Sequence, residues 1–582
     1  MKRRRLRICA LRFTLTAMTD PETLWRTTYA HPTRWETIFA PLSIPAMLDA
    51  NIAKYPAAPI ADFMGAQISY GQLGGWVDRF AAALQGIGVS KGHRIGLFLP
   101  NVPDYLVAYY GALKIGAIIV NMSPLYTLEE LEEQLVDSGA RIVVTVDVPM
   151  LYKNAENLLK LAVIDRLIVG SLSGWLLPGK RALFRMFKRN DRALIPLGNS
   201  RITRLMTMVA AAPPKPSPVT IDAEKDIALI QYTGGTTGTP KGAMLTHQNL
   251  TANARQVDSI DPKIEPGDRI VGALPFFHVF ANTCVLNRTI LAGGMIAMLP
   301  RFDAGAVLKT ITRVKATALP GVPTMYQALL DHPDIGKADF SSLRFCISGG
   351  APLPAEVKAR FEAVTGATVI EGYGLTESSG VLTSNPYIGL NKSGTIGQPL
   401  PGTRIMLVDR EDATRPAPEG EPGEIVFSGP QAMQGYWGKP ESSNDNFVNG
   451  AVRTGDVGLI DEDGYVRIVD RLKDMIAVGG FKVFPSTIEK RLYANDSVKE
   501  ALVIGIPDRY SGEKPKAFVT LNAGATIDGA ALLAWLNPQL GKHERVVAVE
   551  VRDSLPKTLV GKLSRKELVA EERAKPLADS PN

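Results

Sequence analysis

Strand and helix patterns alternate along the first part of the chain, and this alternation constrains the fold more than any other feature. Residues 93–100 (HRIGLFLP) predict a strand, residues 104–115 an amphipathic helix, and residues 117–120 a second strand. A strand, a helix and a strand in this order form a βαβ unit, whose two strands are parallel. The alternation continues through residues 129–146 and resumes between residue 225 and about residue 374. These patterns predict an α/β fold.

Two later sections of the chain carry different patterns. From residue 402 to residue 468 strands dominate between glycine and proline turns, which predicts a smaller β subdomain. After Lys473 an α+β pattern begins, with predicted strands at 501–506, 517–521 and 545–551 and predicted helices at 485–493, 529–536 and 565–573. Because 582 residues are too many for one core, we expect several domains. The expected order is a large N-terminal domain, residues 19–472, with two α/β subdomains and the β subdomain, and then a small α+β C-terminal domain, residues 473–582.

A loop rich in glycine and threonine lies between residues 232 and 247 (YTGGTTGTPKGAMLTH). Its glycines can turn backbone N–H groups toward an anion, its threonines add hydroxyl donors, and its lysine adds a positive charge. The residues concerned are Thr233, Gly234, Gly235, Thr236, Thr237, Gly238 and Lys241. A predicted strand at 226–232 and a predicted helix from residue 249 give a strand–loop–helix setting that favours phosphate binding. The loop is not the common P-loop, because Pro240 precedes the lysine, and a plain surface loop is the alternative.

Five more segments contain polar residues suited to nucleotide chemistry. They are SGGAPL at 348–353, EGYGLTE at 371–377, RTGD at 453–456, DRLKD at 470–474 and PKTLVGKLSRK at 556–566. Tyr373 lies between two glycines and can expose its ring as a platform for a base. Glu377 is a hard carboxylate suited to Mg²⁺, and Asp456 is a natural acceptor for two ribose hydroxyls. Taken singly, each segment has a plain alternative as a turn or a solvated surface charge.

In kind and in order, the six segments resemble the motifs of the adenylate-forming family, which includes acyl-CoA synthetases, luciferases and peptide-synthetase adenylation domains. The resemblance covers roughly residues 40–570. It implies an ATP and AMP site that joins the loop residues above to Gly349, Gly350, Ala351, Glu371, Gly372, Tyr373, Gly374, Thr376, Asp456, Arg471 and Lys562. It also implies catalytic roles for Thr233, Glu377 and Lys562, with Mg²⁺ near Thr233 and Glu377.

A reaction in two steps follows from the resemblance. A carboxylate attacks the α-phosphate of ATP to give an acyl-adenylate and pyrophosphate, and a thiol then takes the acyl group. Lys562 would stabilise the charge that builds up in the first step. The C-terminal domain would then swing about a hinge at Lys473 and bring Gly479 and Gly480 to the thiol entrance. The alternative for Lys562 is a solvated lysine in a basic C-terminal patch.

Residues 274–280 (LPFFHVF) resemble the aromatic gate of this family. We assign Phe277 and His278 to the acyl and coenzyme A channel, and the full expected set of channel residues is Phe277, His278, Gly350, Gly374, Gly479 and Gly480. A structural histidine in an aromatic cluster is an equal alternative for His278. His247, at the end of the threonine-rich loop, is expected to be structural.

Within the family, the segments GYGLTESSG, Asn385–Tyr387 and DRLKD are most similar to those of bacterial long-chain fatty acyl-CoA synthetases. We therefore expect a fatty acid of medium to long chain, ATP and coenzyme A as substrates. No carrier domain follows the predicted C-terminal domain, which favours a free thiol. The alternatives are an aryl-CoA or acyl-carrier-protein ligase of the same family and, outside it, a non-catalytic nucleotide-binding or peripheral membrane protein. A homodimer stays open.

The formal net charge of +7 is concentrated at the N-terminus. Six of the basic residues are Lys2, Arg3, Arg4, Arg5, Arg7 and Arg12, and residues 1–17 contain no acid. The chain therefore gives no general argument for a nucleic-acid partner. Because Arg12 interrupts the apolar stretch before Met18, this segment makes a poor signal peptide, and we expect residues 1–18 to be an overlong extension with Met18 as the alternative start.

The remaining composition favours the cytoplasm. The three cysteines are far apart and fit neither a disulfide nor a zinc pattern, and no apolar run reaches transmembrane length. Residues 171–204 mix bulky apolar and basic residues, with Leu183, Phe184 and Phe187 predicted on one helical face. Such a segment can rest on an anionic membrane, at the inner face of the cell membrane, whereas the alternative is a surface excursion packed against its own domain.

Overall fold

The computed structural model describes residues 21–187, 189–196, 198–233, 240–262, 267–479, 481–557 and 563–575. The predicted extension at residues 1–18 lies outside this part of the chain. Within it, the strands form four sheets, which we call sheets A to D. The strands of sheets A and B lie between residues 59 and 399. Those of sheet C lie between residues 404 and 471, and those of sheet D between residues 476 and 551.

Sheet A has seven strands. In spatial order they are Ile202–Arg204, Arg166–Gly170, Ile142–Val146, Arg94–Phe98, Ile118–Met122, Ile227–Tyr232 and Gly242–Thr246. All neighbours are parallel except the last pair, which is antiparallel. The predicted βαβ unit is confirmed, since Arg94–Phe98 and Ile118–Met122 are parallel and joined by the helix Pro103–Lys114.

The helix Pro103–Lys114 is buried on every face, so the prediction of an amphipathic helix was wrong. Its tyrosines explain how a helix with polar groups tolerates this position. The Tyr105 hydroxyl donates to the Asn121 side chain at 2.9 Å, and the Tyr110 hydroxyl donates to the Asn287 side chain at 3.0 Å. Each buried hydroxyl has a partner, which removes the cost of burying it.

Sheet B has nine strands. In spatial order they are Gln398–Pro399, Thr383–Ser384, Thr368–Tyr373, Phe345–Ser348, Ala318–Gly321, Arg269–Gly272, Met295–Met298, Pro59–Phe63 and Ala66–Ser69. The six strands from Thr368–Tyr373 to Pro59–Phe63 are parallel to one another. The carboxyl ends of parallel strands share one edge of a sheet, where α/β proteins bind ligands. Ser348 and Tyr373 end neighbouring strands, so the loops that follow them lie side by side.

Sheets C and D are mainly antiparallel. Sheet C contains Arg404–Val408, Gly423–Ser428, Phe447–Val448, Ala451–Ile460 and Val466–Arg471. Sheet D contains Ile476–Val478, Phe481–Val483, Val498–Asp508, Gly512–Leu521 and Val549–Val551. The last strand is shorter than the predicted 545–551. The large buried cluster of the N-terminal part ends with Val466, and a separate cluster begins with Ile476, so a change of core falls close to the predicted hinge at Lys473.

Helices cover the sheets and begin at recognisable caps. The described helices of six residues or more are Pro21–Thr28, Ile44–Lys54, Tyr70–Gly86, Pro103–Lys114, Leu128–Ser138, Pro149–Lys160, Pro178–Phe187, Leu205–Ala211, His247–Ile260, Ala304–Val314, Pro323–Leu330, Ala355–Thr365, Pro440–Asp445, Pro485–Tyr493, Gly529–Leu536 and Lys566–Arg573, with a π-helix at Asn282–Asn287. Capping boxes at Ser69, Thr127 and Thr246 satisfy backbone N–H groups at three of the helix starts.

The segment at residues 171–204, which was predicted to contact a membrane, is held to its domain near both ends and exposes part of its helix. The Trp175 indole donates to the buried Asp104 carboxylate at 2.6 Å, and Arg192 pairs with the buried Asp147 at 3.2 Å. In the helix Pro178–Phe187, Leu183 and Phe187 are 54% and 72% exposed. Phe184 packs against the core instead, which corrects the prediction that all three share an outward face. No described helix combines the length and the apolar character that a membrane crossing requires.

Candidate nucleotide and acyl site

The glycine- and threonine-rich loop joins two antiparallel strands of sheet A. Ile227–Tyr232 leads into it and Gly242–Thr246 leads out, and Thr233 N–H donates to the Lys241 carbonyl at 2.9 Å across its neck. The helix His247–Ile260 begins only after the second strand, so the prediction of a strand–loop–helix setting was wrong. The predicted phosphate-binding residues Gly234, Gly235, Thr236, Thr237 and Gly238 lie outside the described residues.

A segment at residues 433–437 lies along the outgoing strand of this hairpin. Backbone hydrogen bonds join Met244 N–H to the Gly435 carbonyl at 2.9 Å and Trp437 N–H to the Gly242 carbonyl at 2.8 Å. At its other side, Met433 N–H donates to the Glu377 carbonyl at 2.9 Å. The segment therefore connects the base of the threonine-rich loop to the turn that holds Glu377.

Tyr436 is the side chain at the centre of this connection. Its hydroxyl donates to Glu377 Oε1 at 2.7 Å, and Lys241 Nζ lies 5.2 Å from the centre of its ring. Glu377 and Lys241, which the sequence analysis assigned to separate motifs, therefore both contact Tyr436. The sequence analysis missed Tyr436, because it interpreted residues 402–468 only as a β subdomain, although Gly435 and Gly438 lie on either side of this tyrosine.

Glu377 lies in the short 3₁₀-helix Thr376–Ser378 that follows the strand Thr368–Tyr373. Burial raises the pKa of Glu377, while the hydrogen bond from Tyr436 and the charge of Lys473 act in the opposite direction and favour the carboxylate. The described residues contain no cluster of three or more His, Cys, Asp or Glu side chains able to hold a metal ion by themselves. A single carboxylate beside a phosphate site fits Mg²⁺, which protein sites often hold through one carboxylate and the substrate phosphates.

Asp456, Arg471 and Tyr373 meet as the sequence analysis predicted. Asp456 and Arg471 face each other on neighbouring strands of sheet C, and Arg471 Nε lies 2.9 Å from Asp456 Oδ1. The Tyr373 hydroxyl donates to Asp456 Oδ2 at 2.5 Å. Burial and the charge of Asp456 raise the pKa of Tyr373 well above its usual value, and the charge of Asp456 raises that of Arg471. The three groups form one compact cluster of acceptor, cation and ring.

Glu371 joins the two loops at the edge of sheet B. Its Oε1 accepts the Leu353 N–H at 3.2 Å, and burial raises the pKa of this carboxyl to about 7. Gly350 has a φ of +84°, in the region that favours glycine. A Cβ on Gly374 would lie 2.1 Å from the Gly380 carbonyl oxygen, so no side chain fits there. These contacts fix the path of the two loops, which contain Ala351 and Thr376, whereas Gly372 lies in the strand Thr368–Tyr373.

An apolar pocket opens beside these loops. Its walls include Leu274, His278, Phe280, Ala281, Val322 and Gly350. His278 and Gly350 are thus brought together as predicted for the acyl channel, whereas the aromatic wall is Phe280 rather than the predicted Phe277. His278 also has a structural part, because its Nδ1 accepts the Phe280 N–H at 3.3 Å and caps the short helix Val279–Ala281. Phe277 and Phe280 are three residues apart, and the sequence gave no signal for which of the two rings faces the pocket.

The remaining predicted residues are Gly479, Gly480, Lys562 and His247. Gly479 has a φ of +56°, and its N–H donates to the Ser511 carbonyl at 2.7 Å. Gly480 and Lys562 lie outside the described residues. Arg565, three residues after Lys562, pairs with Asp474 at 3.0 Å and thereby joins this motif to the residue beside Lys473. His247 is buried, and its Nδ1 accepts the Ile44 N–H at 3.4 Å, in agreement with a structural role.

Known proteins with similar sequences share both parts of this architecture. A profile described as AMP-binding enzyme matches residues 48–437, and one described as AMP-binding enzyme C-terminal domain matches residues 487–562. A long-chain-fatty-acid–CoA ligase of Bacillus subtilis (strain 168) is 38% identical over 560 residues, which is 94% of this chain and 98% of the relative. A ligase of the same name from Escherichia coli O157:H7 is 37% identical and matches over 92% of this chain and 95% of its own length. A feruloyl-CoA synthase of Amycolatopsis sp is also 37% identical, over 88% and 96%.

Solved structures agree with the described fold. ATP-bound MatB from Rhodopseudomonas palustris superposes with a TM-score of 0.79 at 31% identity, and covers 92% of this chain and 99% of its own. The anthranilate CoA ligase AuaEII, in complex with anthranoyl-AMP, gives a TM-score of 0.79 at 26% identity over 92% and 98%. The predicted α/β fold, with a large N-terminal part and a small C-terminal part, is confirmed.

Proposed function

The chain belongs to the family of AMP-binding, adenylate-forming enzymes, and we propose from this premise that it is a long-chain fatty acid–CoA ligase. It activates a fatty acid with ATP to an acyl-adenylate and pyrophosphate, and then transfers the acyl group to coenzyme A with release of AMP. The observation that carries the proposal is the meeting of Asp456, Arg471 and Tyr373 beside Glu377, since the four residues come from three separate sequence motifs.

The nucleotide is held by groups with complementary chemistry. The Asp456 carboxylate accepts hydrogen bonds from the two ribose hydroxyls, and Arg471 holds that carboxylate in place. The ring of Tyr373 supports the adenine. The threonine-rich loop binds the β- and γ-phosphates, and Lys241 at its base adds a positive charge there. Thr376 contacts the α-phosphate.

A magnesium ion would be held by Glu377 and, at the start of the loop, by Thr233, together with phosphate oxygens. When bound, it neutralises part of the phosphate charge and so makes the α-phosphate easier to attack. The residues of the chain orient the triphosphate and stabilise charge, and no side chain has to form a covalent intermediate. Lys562 places its cation between the acyl carboxylate and the α-phosphate during the first step.

The second step requires the C-terminal domain to turn about Lys473. In the described arrangement the two parts of the chain are linked across this point, because Ser486 N–H donates to Asp470 Oδ2 at 2.9 Å and Lys482 pairs with Glu411 at 2.9 Å. Rotation breaks these two contacts and removes Lys562 from the site. Gly479 and Gly480 then line the entrance for the coenzyme A thiol.

Lys562→Ala tests this division of labour. Adenylate formation, measured as exchange of pyrophosphate into ATP that depends on added fatty acid, should fall by roughly 10²-fold or more, as for the loss of a cation at a developing charge. Thioester formation from supplied acyl-adenylate should stay within about twofold to threefold of the wild-type rate. Lys566→Ala, in the same basic segment, is the matched control and should change neither rate. Equal losses in both half-reactions would contradict the proposal.

We infer that the acid is a fatty acid because relatives named long-chain-fatty-acid–CoA ligase are 37–38% identical over most of the chain. The mainly apolar lining of the pocket beside His278 is compatible with this substrate. An aryl acid is the second candidate, supported by the 37% identity to a feruloyl-CoA synthase. The deciding measurement is AMP release across saturated acids of increasing length, with benzoate and cinnamate beside them and either coenzyme A or acyl-carrier protein as acceptor. We expect the highest kcat/KM with medium to long acids and coenzyme A. A preference for benzoate or cinnamate would instead make the protein an aryl-CoA ligase.

Residues 171–204 bring the enzyme to the inner face of the cytoplasmic membrane, where long-chain acids partition. Leu183, Met186 and Phe187 are 54%, 65% and 72% exposed, and Lys180 lies on the same helix. Leu183→Ser with Phe187→Ser should reduce flotation with anionic vesicles several-fold and leave turnover of a soluble octanoate substrate unchanged. Flotation equal to that of wild type would contradict this surface. A homodimer is a further proposal, which sedimentation at two salt concentrations tests.

A further inference from the structure

The hydroxyl of Tyr436 has an acceptor that distinguishes it from the buried Tyr465, although a lysine lies over the ring of each. A buried phenol is usually satisfied by a backbone carbonyl, as Tyr465 is by the Leu390 carbonyl. The Tyr436 hydroxyl instead donates at 2.7 Å to the carboxylate of Glu377. Its ring is only 6% exposed, and a lysine ammonium lies over that ring. Both of these polar neighbours belong to the nucleotide site.

The backbone around Tyr436 holds it firmly in this position. Its own N–H donates to Ser443 Oγ at 2.8 Å, and the flanking Gly435 and Trp437 are hydrogen-bonded to the strand Gly242–Thr246. Met433 N–H binds the Glu377 carbonyl. The backbone around Tyr436 is therefore hydrogen-bonded to the strand that follows Lys241 and to the turn that contains Glu377. The ring and the hydroxyl of Tyr436 consequently have a defined direction relative to both side chains.

We infer that Tyr436 is a positioning residue that orients the Glu377 carboxylate toward the metal–phosphate complex through its hydroxyl and orients the Lys241 ammonium toward the phosphates through its ring. The inference rests on the proposed role of Glu377 as a metal ligand. A hydrogen bond to one carboxylate oxygen fixes the plane of the carboxylate and leaves the second oxygen, Oε2, to face the ion. Burial and the charge of Glu377 raise the pKa of Tyr436, so that the phenol stays protonated and continues to donate.

Two substitutions separate the two contacts. Tyr436→Phe removes the hydroxyl and keeps the ring, whereas Tyr436→Leu removes both. The probe is Mn²⁺ with α,β-methylene-ATP, a non-reacting analogue, and bound Mn²⁺ is measured by electron paramagnetic resonance on the full-length enzyme. Loss of a group that orients a metal ligand typically weakens metal binding about 10- to 100-fold, and we expect a change near the lower end for Tyr436→Phe. The KM for ATP at saturating Mg²⁺ should stay within twofold of wild type in this variant.

Tyr436→Leu should show the same weakening of Mn²⁺ binding and, in addition, a rise of roughly 3- to 10-fold in the KM for ATP, because a cation–π contact of about 1 kcal/mol is lost. Tyr465→Phe is the matched control, since it removes a buried hydroxyl far from the phosphate loop in sequence and bound only to a carbonyl. It should leave both the Mn²⁺ dissociation constant and the KM unchanged.

Glu377→Gln distinguishes failure of this inference from failure of the proposed function. If Glu377→Gln weakens Mn²⁺ binding and Tyr436→Phe does not, Tyr436 is only a core residue and the inference is overturned. If Glu377→Gln leaves Mn²⁺ binding unchanged, the metal role proposed for Glu377 is itself wrong. If Tyr436→Leu does not fold, Tyr436→Phe still decides the hydroxyl contact, and unchanged Mn²⁺ binding in that variant overturns the inference.

Discussion

Two clusters of charged side chains in this protein contain the same kinds of residue but have different roles. The first is the core cluster around Arg288, whose side chain is 5% exposed and contacts Asp258, Asp261 and Asp268. The second is the site cluster of Asp456, Arg471 and Glu377, with Lys241 and Lys473 at its margin. Both collect acids and bases from distant parts of the chain, yet only the second is open to a ligand.

The core cluster is closed, and its charged side chains are almost completely buried. Arg288 and Arg344 face three aspartates, and Asp268 is held by both arginines and by the Thr317 hydroxyl at 2.8 Å. Burial raises the pKa of Asp261 to about 6, and the charges of Asp268 and Asp258 act in the same direction, whereas the charge of Arg288 lowers it. Such a cluster satisfies charges that are already present and ties the helix His247–Ile260 to sheet B, and it has no spare capacity for an anion.

The site cluster is more open. The Arg471 side chain is 45% exposed, whereas the Arg288 side chain is 5% exposed. Lys473 acts on Glu377, and Lys241 lies over the Tyr436 ring that contacts Glu377, so cations lie close to the carboxylates of this cluster. The comparison indicates that burial, rather than the kinds of charge present, separates the structural ion network from the candidate phosphate site.

The largest expected effect is on activity at the site cluster. Asp456→Ala removes the acceptor for the ribose hydroxyls, and two hydrogen bonds to a charged group amount to roughly 3–6 kcal/mol, so kcat/KM for ATP should fall on the order of 10³-fold. The free energy of unfolding should change far less, because Arg471 is exposed enough to be solvated once its partner is lost. Pyrophosphate exchange and urea unfolding measure the two effects.

The control for this prediction is Asp463→Ala, which removes an exposed carboxylate of the same part of the chain that pairs with Lys392. It should leave exchange unchanged. A loss of less than about tenfold for Asp456→Ala would mean that the site cluster does not bind the nucleotide, and the comparison between the two clusters would collapse.

The next effect is on stability at the core cluster. Arg288→Met leaves buried aspartates without their cation and should lower the free energy of unfolding by about 3–5 kcal/mol. The activity of the molecules that remain folded should be close to that of wild type, since Arg288 does not reach the nucleotide site. Chemical denaturation, followed by an assay at a temperature where the variant is folded, checks both statements. A stable variant with low activity would reverse the roles assigned to the two clusters.

A smaller effect concerns pH. Since the pKa of Asp261 is raised to about 6 in the folded protein and stays near its usual 3.8 in the unfolded chain, the folded state holds this proton more tightly. The contribution of Asp261 to stability therefore falls as the pH rises from about 4 to about 6. The decline in the free energy of unfolding amounts to at most roughly 2–3 kcal/mol over this interval, and Asp261→Asn should abolish it. Urea unfolding at pH 4.5, 5.5 and 6.5 measures the difference, and parallel curves for the two proteins would disprove the shift.

The smallest effect is expected at the surface. Arg141 and Asp165 form a well-aligned pair at 2.7 Å, but both side chains are more than half exposed. Asp165→Ala should cost less than about 1 kcal/mol, because water screens the pair and solvates the arginine that remains. Comparison of Asp165→Ala with Arg288→Met then shows whether burial causes the larger loss of unfolding free energy that we expect for Arg288→Met. A cost of several kcal/mol at this exposed site would mean that burial is not what distinguishes the core cluster.

Much of the fold was predictable because local patterns report local burial. The βαβ unit at residues 94–122, the helix Pro485–Tyr493 and the helix Gly529–Leu536 agree with the predictions almost to the residue. Boundaries failed where tertiary contacts override the pattern, as in the strand Val549–Val551. The helix Pro103–Lys114 was predicted to expose a polar face, and only its packing showed that tyrosine hydroxyls are satisfied inside.

The site divides in the same way. Asp456, Arg471, Tyr373 and Glu377 were predictable, because short motifs in a fixed order preserve the spacing that their chemistry needs. The contact of Tyr436 with Glu377 was not, since the two residues lie 59 positions apart in sequence. Phe280 rather than Phe277 lines the pocket for a related reason, because the direction of a ring depends on what packs around it.

By itself, the sequence determined the family and the α/β fold, and it predicted the order of the domains and the polar groups of the candidate site, because these depend on residue type and on spacing along the chain. The tertiary structure alone decided that the threonine-rich loop caps a β-hairpin, that Tyr436 lies between Lys241 and Glu377, and that Arg288 gathers three aspartates. Those contacts join residues far apart in sequence, and only the packing of sheets and helices brings such residues within the few ångströms over which hydrogen bonds and ion pairs act.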